Sequence, residues 1–373
     1  MDRVTTVLRQ GATQLRACLY KPSISRQTLQ RVATILIFFI FFSTIFHFRD
    51  TPPPISISIS RKTQHPRDAA ANATLGFEKI LAVSLKPSWR TRGLLAAAGH
   101  TGLSITIPEQ PYNTKALIDA FGDLGSSDEK IKRPGVGSAR AWLAHLDMMK
   151  YVISSGLSTA FIIEDDVDWD VRIHSQMKLV SDAVRNFTLA SGEDNLAPFG
   201  NAWEVLWLGH CGEISERDRP KLTYFDETRP KTEHYMGWSH KWLENEEASV
   251  PPTHRAVQRT RNTVCSFGYG VTHRGARNIL RQLGQGQDEA FDIALMAHCR
   301  DGKLSCLTVL PEIMHHYEPK DGSGYVSPNN EFNGKGTSVD ESEFEGIMGH
   351  TANIVRSARC EALWGQRCQA GNE

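Results

Sequence analysis

Five carboxylates fall within the seven residues Glu164-Asp165-Asp166-Val167-Asp168-Trp169-Asp170, directly after the apolar run Phe161-Ile162-Ile163. Like charges this close repel unless a cation or hydrogen-bond donors compensate them, and a divalent metal held through oxygen ligands serves that need. The apolar run reads as a buried strand, so the acids stand where a strand leaves its sheet. That edge is where open α/β sheets bind ligands. The cluster therefore points to a metal and diphosphate site. A second chemistry-bearing stretch follows the earlier strand Glu78 to Leu85, where the turn Lys86-Pro87-Ser88-Trp89-Arg90-Thr91-Arg92 carries two arginines. Arg90 and Arg92 are placed to meet an anionic nucleotide, the alternative being solvated surface arginines.

The elements that must position these residues alternate between strands and helices from Phe77 onward, which argues for an α/β fold with a mainly parallel sheet flanked by helices. A strand is expected at Leu103 to Ile107. A helix over about Ser138 to Ile153 carries a core stripe of Trp142, Leu146, Met149 and Ile153, with Ser138 as N-cap. His145 lies beside that stripe, as a structural histidine or one that touches substrate. After the strand Thr159 to Ile163 and its acids comes a helix from Val171 to about Leu189, then a strand at Trp203 to Leu208 ended by Gly209-His210-Cys211-Gly212. His210 is a weak acceptor-site candidate. Residues 213 to 262 read as a loop-rich insertion of the kind that carries acceptor recognition or is disordered. A strand at Cys265 to Val271, helices at Gly275 to Leu283 and Glu289 to Cys299, and a strand at Leu304 to Leu310 complete the pattern. Pro311 to Tyr317, with His315 and His316, leads out into an irregular carboxyl end.

The 373 residues carry 42 basic and 42 acidic side chains, so no global field points to nucleic acid. The first 31 residues nonetheless hold six Arg and Lys against Asp2, and the uncharged segment Val32 to Phe48 follows at once. Its length spans about 25 Å as a helix, the short end of what crosses a bilayer and suited to thinner membranes of the early secretory pathway. The long basic region and the lack of a small-x-small cleavage site favour an uncleaved anchor over a signal peptide. The positive-inside bias then puts 1–31 in the cytoplasm and the body in the lumen of the Golgi or ER. Proline-rich residues 49–76 read as a stem. Sequons at Asn72 and Asn186 and six cysteines beyond the anchor agree with a lumenal body. Cys211 with Cys265, Cys299 with Cys306, and Cys360 with Cys368 is one pairing of the fifteen that six cysteines allow. No repeat, hydrolase elbow, P-loop or G-x-G-x-x-G is present.

Phe161-Ile162-Ile163-Glu164-Asp165-Asp166, the first-strand turn with Arg90 and Arg92, and Ser266-Phe267-Gly268-Tyr269-Gly270-Val271 followed by Arg274-Gly275-Ala276 together resemble glycosyltransferase family 25. The likeness runs over about 77–320, leaving 321–373 as an extension. It departs at Lys86 to Trp89 and over 99 to 137. The resemblance implies a GT-A fold and inverting transfer from a nucleotide sugar, usually UDP-galactose, to a glycan or glycoprotein hydroxyl. It also implies a Mn²⁺ or Mg²⁺ ion, which prefers octahedral oxygen coordination and leaves sites for phosphate. In the [DE]-x-D spacing, alternation puts Glu164 and Asp166 on one face and Asp165 on the other. Asp166 is then the direct metal ligand, Glu164 lies nearer ribose or a metal-bound water, and Asp165 is structural. Asp168 and Asp170 steer the chain into the next helix. GT-A enzymes often take a further ligand from a late histidine, a place that His315 or His316 matches. Asp292, in a segment similar to the family's FD-x-x-L, is the expected base, with Asp288 and Glu289 as rivals. An inactive glycan-binding or scaffolding relative is the alternative, and a metal-dependent hydrolase a third reading.

Overall fold

The computed structural model describes residues 65–124, 132–191, 197–238, 250–320 and 322–368, together with Gln27, Gln30, Arg31, Thr34 and Ile35. Residues 1–61 and 62–373 form two separate compact units. The five described residues of the first unit are helical. Among the described residues no helix is long and apolar enough to cross a membrane. The expected anchor Val32 to Phe48 lies outside them except for Thr34 and Ile35, as does the stem up to residue 64.

In chain order the second unit runs α1 (Pro66–Ala69), β1 (Lys79–Val83), α2 (Trp89–Thr101), β2 (Ile105–Thr106), α3 (Lys115–Asp123), α4 (Val136–Ser154), β3 (Thr159–Glu164), β4 (Val167–Trp169) and α5 (Ile173–Phe187). It continues through β5 (Val205–Gly209), β6 (Lys221–Phe225), β7 (His254–Arg259), β8 (Gly268–Thr272), α6 (His273–Leu283), α7 (Phe291–Arg300), β9 (Cys306–Leu310) and β10 (Met314–Glu318). The last part holds α8 (Pro328–Phe332), β11 (His350–Thr351) and α9 (Ala358–Trp364). One sheet has the order β2-β1-β3-β8-β5-β9-β7-β6, with β10 bridging β5, β4 and β11.

Side chains alternate across the strands and divide the core into two layers. Ile80, Ala82, Phe161, Ile163, Leu206 and Leu208 face one side, where α2 and α5 pack. Leu81, Ile162, Trp207 and Tyr269 face the other, against α4, α6 and α7. The sheet is more mixed than expected. β1 and β3 are parallel, as are β5 and β9, but β8 runs antiparallel between β3 and β5. The Cys211–Cys265 bridge lies at this reversal: it joins the segment just after β5 to the segment just before β8, at the end from which the chain re-enters the sheet. Two glycines in Gly268-Tyr269-Gly270 make room for this strand, since a Cβ at Gly268 would stand 3.2 Å from Phe161 and one at Gly270 only 2.5 Å from Phe77.

Local differences from the sequence reading have local causes. Ser88 accepts from the Arg90 amide at 3.2 Å, and Thr91 Oγ1 accepts from the Ser88 amide at 2.9 Å, so a capping box starts α2 at Trp89 and draws both arginines into the helix. α4 begins at Val136, before the expected cap Ser138, and Asn333 accepts from the Gly137 amide at 2.8 Å. The insertion 213–262 contains β6 and β7, whose Lys, Thr, Arg and Gln content hides an edge hairpin. The C-terminal residues belong to the same unit as the body, with β11 paired to β10.

All three expected disulfides form, with Cα separations of 5.5, 5.4 and 5.3 Å. Cys211–Cys265 closes a loop of 54 residues and Cys299–Cys306 one of 7. On chain entropy alone the long loop is worth about 4 kcal/mol and the short one about 2 kcal/mol. Thermal melting should therefore fall further for the double variant Cys211→Ser/Cys265→Ser than for Cys299→Ser/Cys306→Ser; the reverse order would contradict a loop-entropy origin.

Candidate functional site

β1 and β3 end level with each other, Val83 opposite Glu164. β3 stops at Glu164, and Asp165-Asp166 form a turn into β4. Strand alternation therefore does not carry through the motif, and the expectation that Asp165 points away is corrected. Glu164, Asp165 and Asp166 all line one cavity of about 410 Å³. Arg90, Asp292, His316 and His145, each singled out from sequence, line it too.

The three acids have different surroundings. Glu164 accepts from Ser266 Oγ at 2.7 Å and lies 3.8 Å from His145 Nε2. Burial pushes its pKa up, but His145, Ser266 and His316 outweigh burial and hold it below the usual range. Asp165 accepts from Ser84 Oγ at 2.6 Å and pairs with Arg90 Nε at 3.0 Å. Burial disfavours the Arg90 cation, yet Asp165 and Asp166 more than offset this and raise its pKa. Asp166 differs from both, because its Oδ1 is buried with no hydrogen-bond partner. Burial first, then Glu164 and Asp165, push its pKa to about 6 against the pull of Arg90.

The histidine pair divides by strand alternation on β10. His316 lines the cavity, 3.4 Å from Glu318, and its pKa is raised because Glu318, Asp166 and Glu164 outweigh burial. His315 is not among the lining residues; it is buried against Phe267, 3.8 Å from Glu312, and burial takes its pKa down to about 3. It therefore stands apart from the acids that line the cavity. Arg92 does not line the cavity, and its exposed guanidinium forms a bidentate pair with Glu345 at 2.5 and 2.7 Å. His210 is fully buried, with Nε2 to the Val309 carbonyl at 2.9 Å and Nδ1 accepting from the Gly212 amide at 3.0 Å, a structural role.

Asp292 stands in the first turn of α7, and its Oδ2 accepts from the Cys265 amide at 2.7 Å. Burial raises its pKa against that amide and the Ile293 amide. Glu289 is exposed on Lys132 at 2.8 Å, and Asp288 caps the next amide at 2.8 Å; neither lines the cavity. His145 stacks on Phe291 at 4.5 Å and reaches Tyr269 OH at 3.0 Å, so it positions the wall between Glu164 and α7. Asp168 and Asp170 do more than lead into α5. Asp168 accepts from Ser357 Oγ and from the Arg359 amide at 3.1 Å, while Asp170 accepts from Arg172 Nε and Nη2 and from the Arg356 amide at 3.0 Å.

Sequence reasoning missed Ser84, Ser266, Arg140 and Phe332 on the cavity wall. Two of them had a signal, Ser84 inside the first-strand turn Val83-Ser84-Leu85 and Ser266 inside the motif Ser266-Phe267-Gly268. Among the described residues no group of three or more His, Cys, Asp or Glu is arranged to hold a metal ion. The cavity still fits a hard cation: Asp166 Oδ1 is a buried acceptor without a donor, beside Glu164 and His316. Such a set suits an ion that shares its coordination with phosphate and water rather than a closed protein cage.

No family model matches the chain, and no curated protein matches it. Among solved structures, the inositol-1-phosphate CTP transferase from T. maritima is similar at 11% sequence identity and a TM-score of 0.28, over 69% of this chain and 94% of that chain. A likeness so slight carries no argument about fold or chemistry.

Asp166 gives a pH signature. Its folded-state pKa of about 6 lies above the ordinary 3.8, so ionisation costs the native state stability that is intact below pH 4 and lost as pH rises through 6. Asp166→Asn should therefore stabilise the native state at pH 7.5 in chelator by about 1 to 2 kcal/mol after allowance for solvent screening, read as a higher melting temperature. The gain should vanish near pH 4. A variant less stable at pH 7.5 would show that the carboxylate is compensated.

Proposed function

We propose that this chain transfers a hexosyl group, galactose by preference, from a nucleotide-sugar donor to a glycan or glycoprotein hydroxyl with inversion. The observation that carries this reading is the division of labour among carboxylates in one cavity. Asp166 presents an unsatisfied oxygen beside Arg90, while Asp292 lines the same cavity from a different helix.

The chemistry follows from these placements. Breaking the bond between the anomeric carbon and the diphosphate builds negative charge on the departing oxygens. Arg90 and the positive end of α2, where it sits, favour that charge. Asp166 would hold a divalent ion, Mn²⁺ or Mg²⁺, with Glu164 and His316 beside it. When bound, that ion supplies charge neutralisation at the leaving group. Asp292 would take the proton as the acceptor oxygen bonds to the anomeric carbon. Its burial-raised pKa makes the carboxylate a stronger base than a solvated one. Glu164, kept ionised by His145 and Ser266, suits a ribose hydroxyl or a metal-bound water.

The proposal includes the address. An anchor at 32–48 would hold the body in the lumen of the Golgi or ER. In its support, all six cysteines beyond the anchor are paired, as an oxidising compartment allows, and Asn72 and Asn186 are exposed.

The full chain, given a panel of UDP-sugars with Mn²⁺ and hydroxyl acceptors, should yield a glycosylated product. Asp292→Asn should lower turnover by about 10²- to 10⁴-fold, the usual contribution of a general base, with donor affinity kept. Asp166→Asn should weaken both donor binding and turnover. Absence of product and of donor hydrolysis with every donor would sink the proposal in favour of a glycan-binding relative, whereas free sugar without acceptor product would indicate a hydrolase.

A further inference from the structure

One cation on the cavity wall has no use in the chemistry above. Arg140 lies one turn into α4, and it lines both the main cavity and an adjoining one of about 410 Å³. Arg90 and Asp165 also line both spaces. The two arginines differ in their company. Arg90 is paired with Asp165 at 3.0 Å, whereas Arg140 has no carboxylate or hydrogen-bond acceptor among the described residues. Its Nε is buried without a partner, and its guanidinium lies over the Phe332 ring, 4.1 Å from the centroid.

Stacking occupies the face of a guanidinium and leaves its in-plane N–H donors free. A buried N–H without an acceptor costs free energy unless a ligand supplies one. The acceptor must be anionic to match the charge. It must also fit where two cavities meet, so it belongs to a ligand that passes from one to the other.

We propose that Arg140 acts with Arg90 as a clamp on the diphosphate of the donor, one guanidinium already neutralised by Asp165 and the other reserved for phosphate oxygens. This inference rests on the nucleotide-sugar reading and names a determinant of it: Arg140 selects a diphosphate over an uncharged leaving group. Phe332, at the end of α8, backs the guanidinium and lines both spaces with it.

The test is calorimetric titration of the full-length protein with uridine diphosphate and with inorganic pyrophosphate, both with Mg²⁺, alongside thermal melting. Arg140→Gln should weaken both ligands at least tenfold with a melting temperature within 2 °C of wild type, and Arg140→Lys should restore part of the loss. Wild-type affinity in Arg140→Gln would overturn the clamp while leaving the nucleotide-sugar reading intact. So would a loss that follows the melting temperature in both variants, which would make Arg140 a packing residue for α8. If the wild type binds neither ligand, the nucleotide-sugar reading fails and the clamp fails with it.

Discussion

The structure depends on how the negative charge at the end of β3 is compensated. Arg90 meets it from one side through Asp165. Arg359 meets it from below, fully buried, and donates to the carbonyl oxygens of Arg90, Asp165 and Val167 at 3.2, 3.0 and 3.1 Å. Desolvation pulls the Arg359 pKa down, and Asp168, Asp166 and Asp165 counter it. Nη1 and Nη2 are thus used and opposite charge is close by, which makes the buried cation tolerable, although its Nε has no partner. Tyr317 covers its face at 5.1 Å, and Gly93 leaves the space it needs, since a Cβ there would stand 2.8 Å from Nη1.

This requirement ties the end of the chain to its middle. Asp168 and Asp170 accept from Ser357, Arg359 and Arg356, so α9 is fastened to the acidic strand exit before it packs on α2. The aromatic group of Trp89, Tyr317 and Phe344 then fills the space between them. Farther forward, Asn333 completes the start of α4 and Phe332 comes over Arg140. The cavity wall thus contains residues from the C-terminal part of the chain, among them Ser327, Asn329 and Phe332.

Local pattern made part of this legible. The buried strands β1, β3, β5 and β9 are continuous apolar runs, and their sheet follows from them. Alternation separated His316 from His315 because β10 is a true strand at that point. The same rule failed at Asp165 because β3 ends one residue earlier, and an ending of that kind depends on Arg90 and Ser84, more than seventy residues away. β6 and β7 escaped for a related reason: an edge hairpin rich in Lys, Thr, Arg and Gln shows little apolar alternation. The C-terminal segment was the least legible part. Its contacts include hydrogen bonds and ion pairs across separations of up to 269 residues, and no periodicity records those.

The hydrogen-bond inventory finally distinguishes acids that the sequence presents as equals. Asp170 takes donors from Arg172 and Arg356, and Asp168 from Ser357, Trp169 and Arg359. Asp165 has Ser84 and Arg90; Glu164 has Ser266, with His145 near. Asp166 Oδ1 has none. Saturation thus falls from the strand exit toward the cavity, and a fold that supplies donors so freely to Asp168 and Asp170 leaves Asp166 as the acid with spare acceptor capacity. Asp166 and Arg140 are complementary omissions, an acceptor without a donor and a donor without an acceptor, on the wall of one cavity. The proposed metal-bound diphosphate would satisfy both at once, with anionic oxygens for the arginine and a cation for the carboxylate.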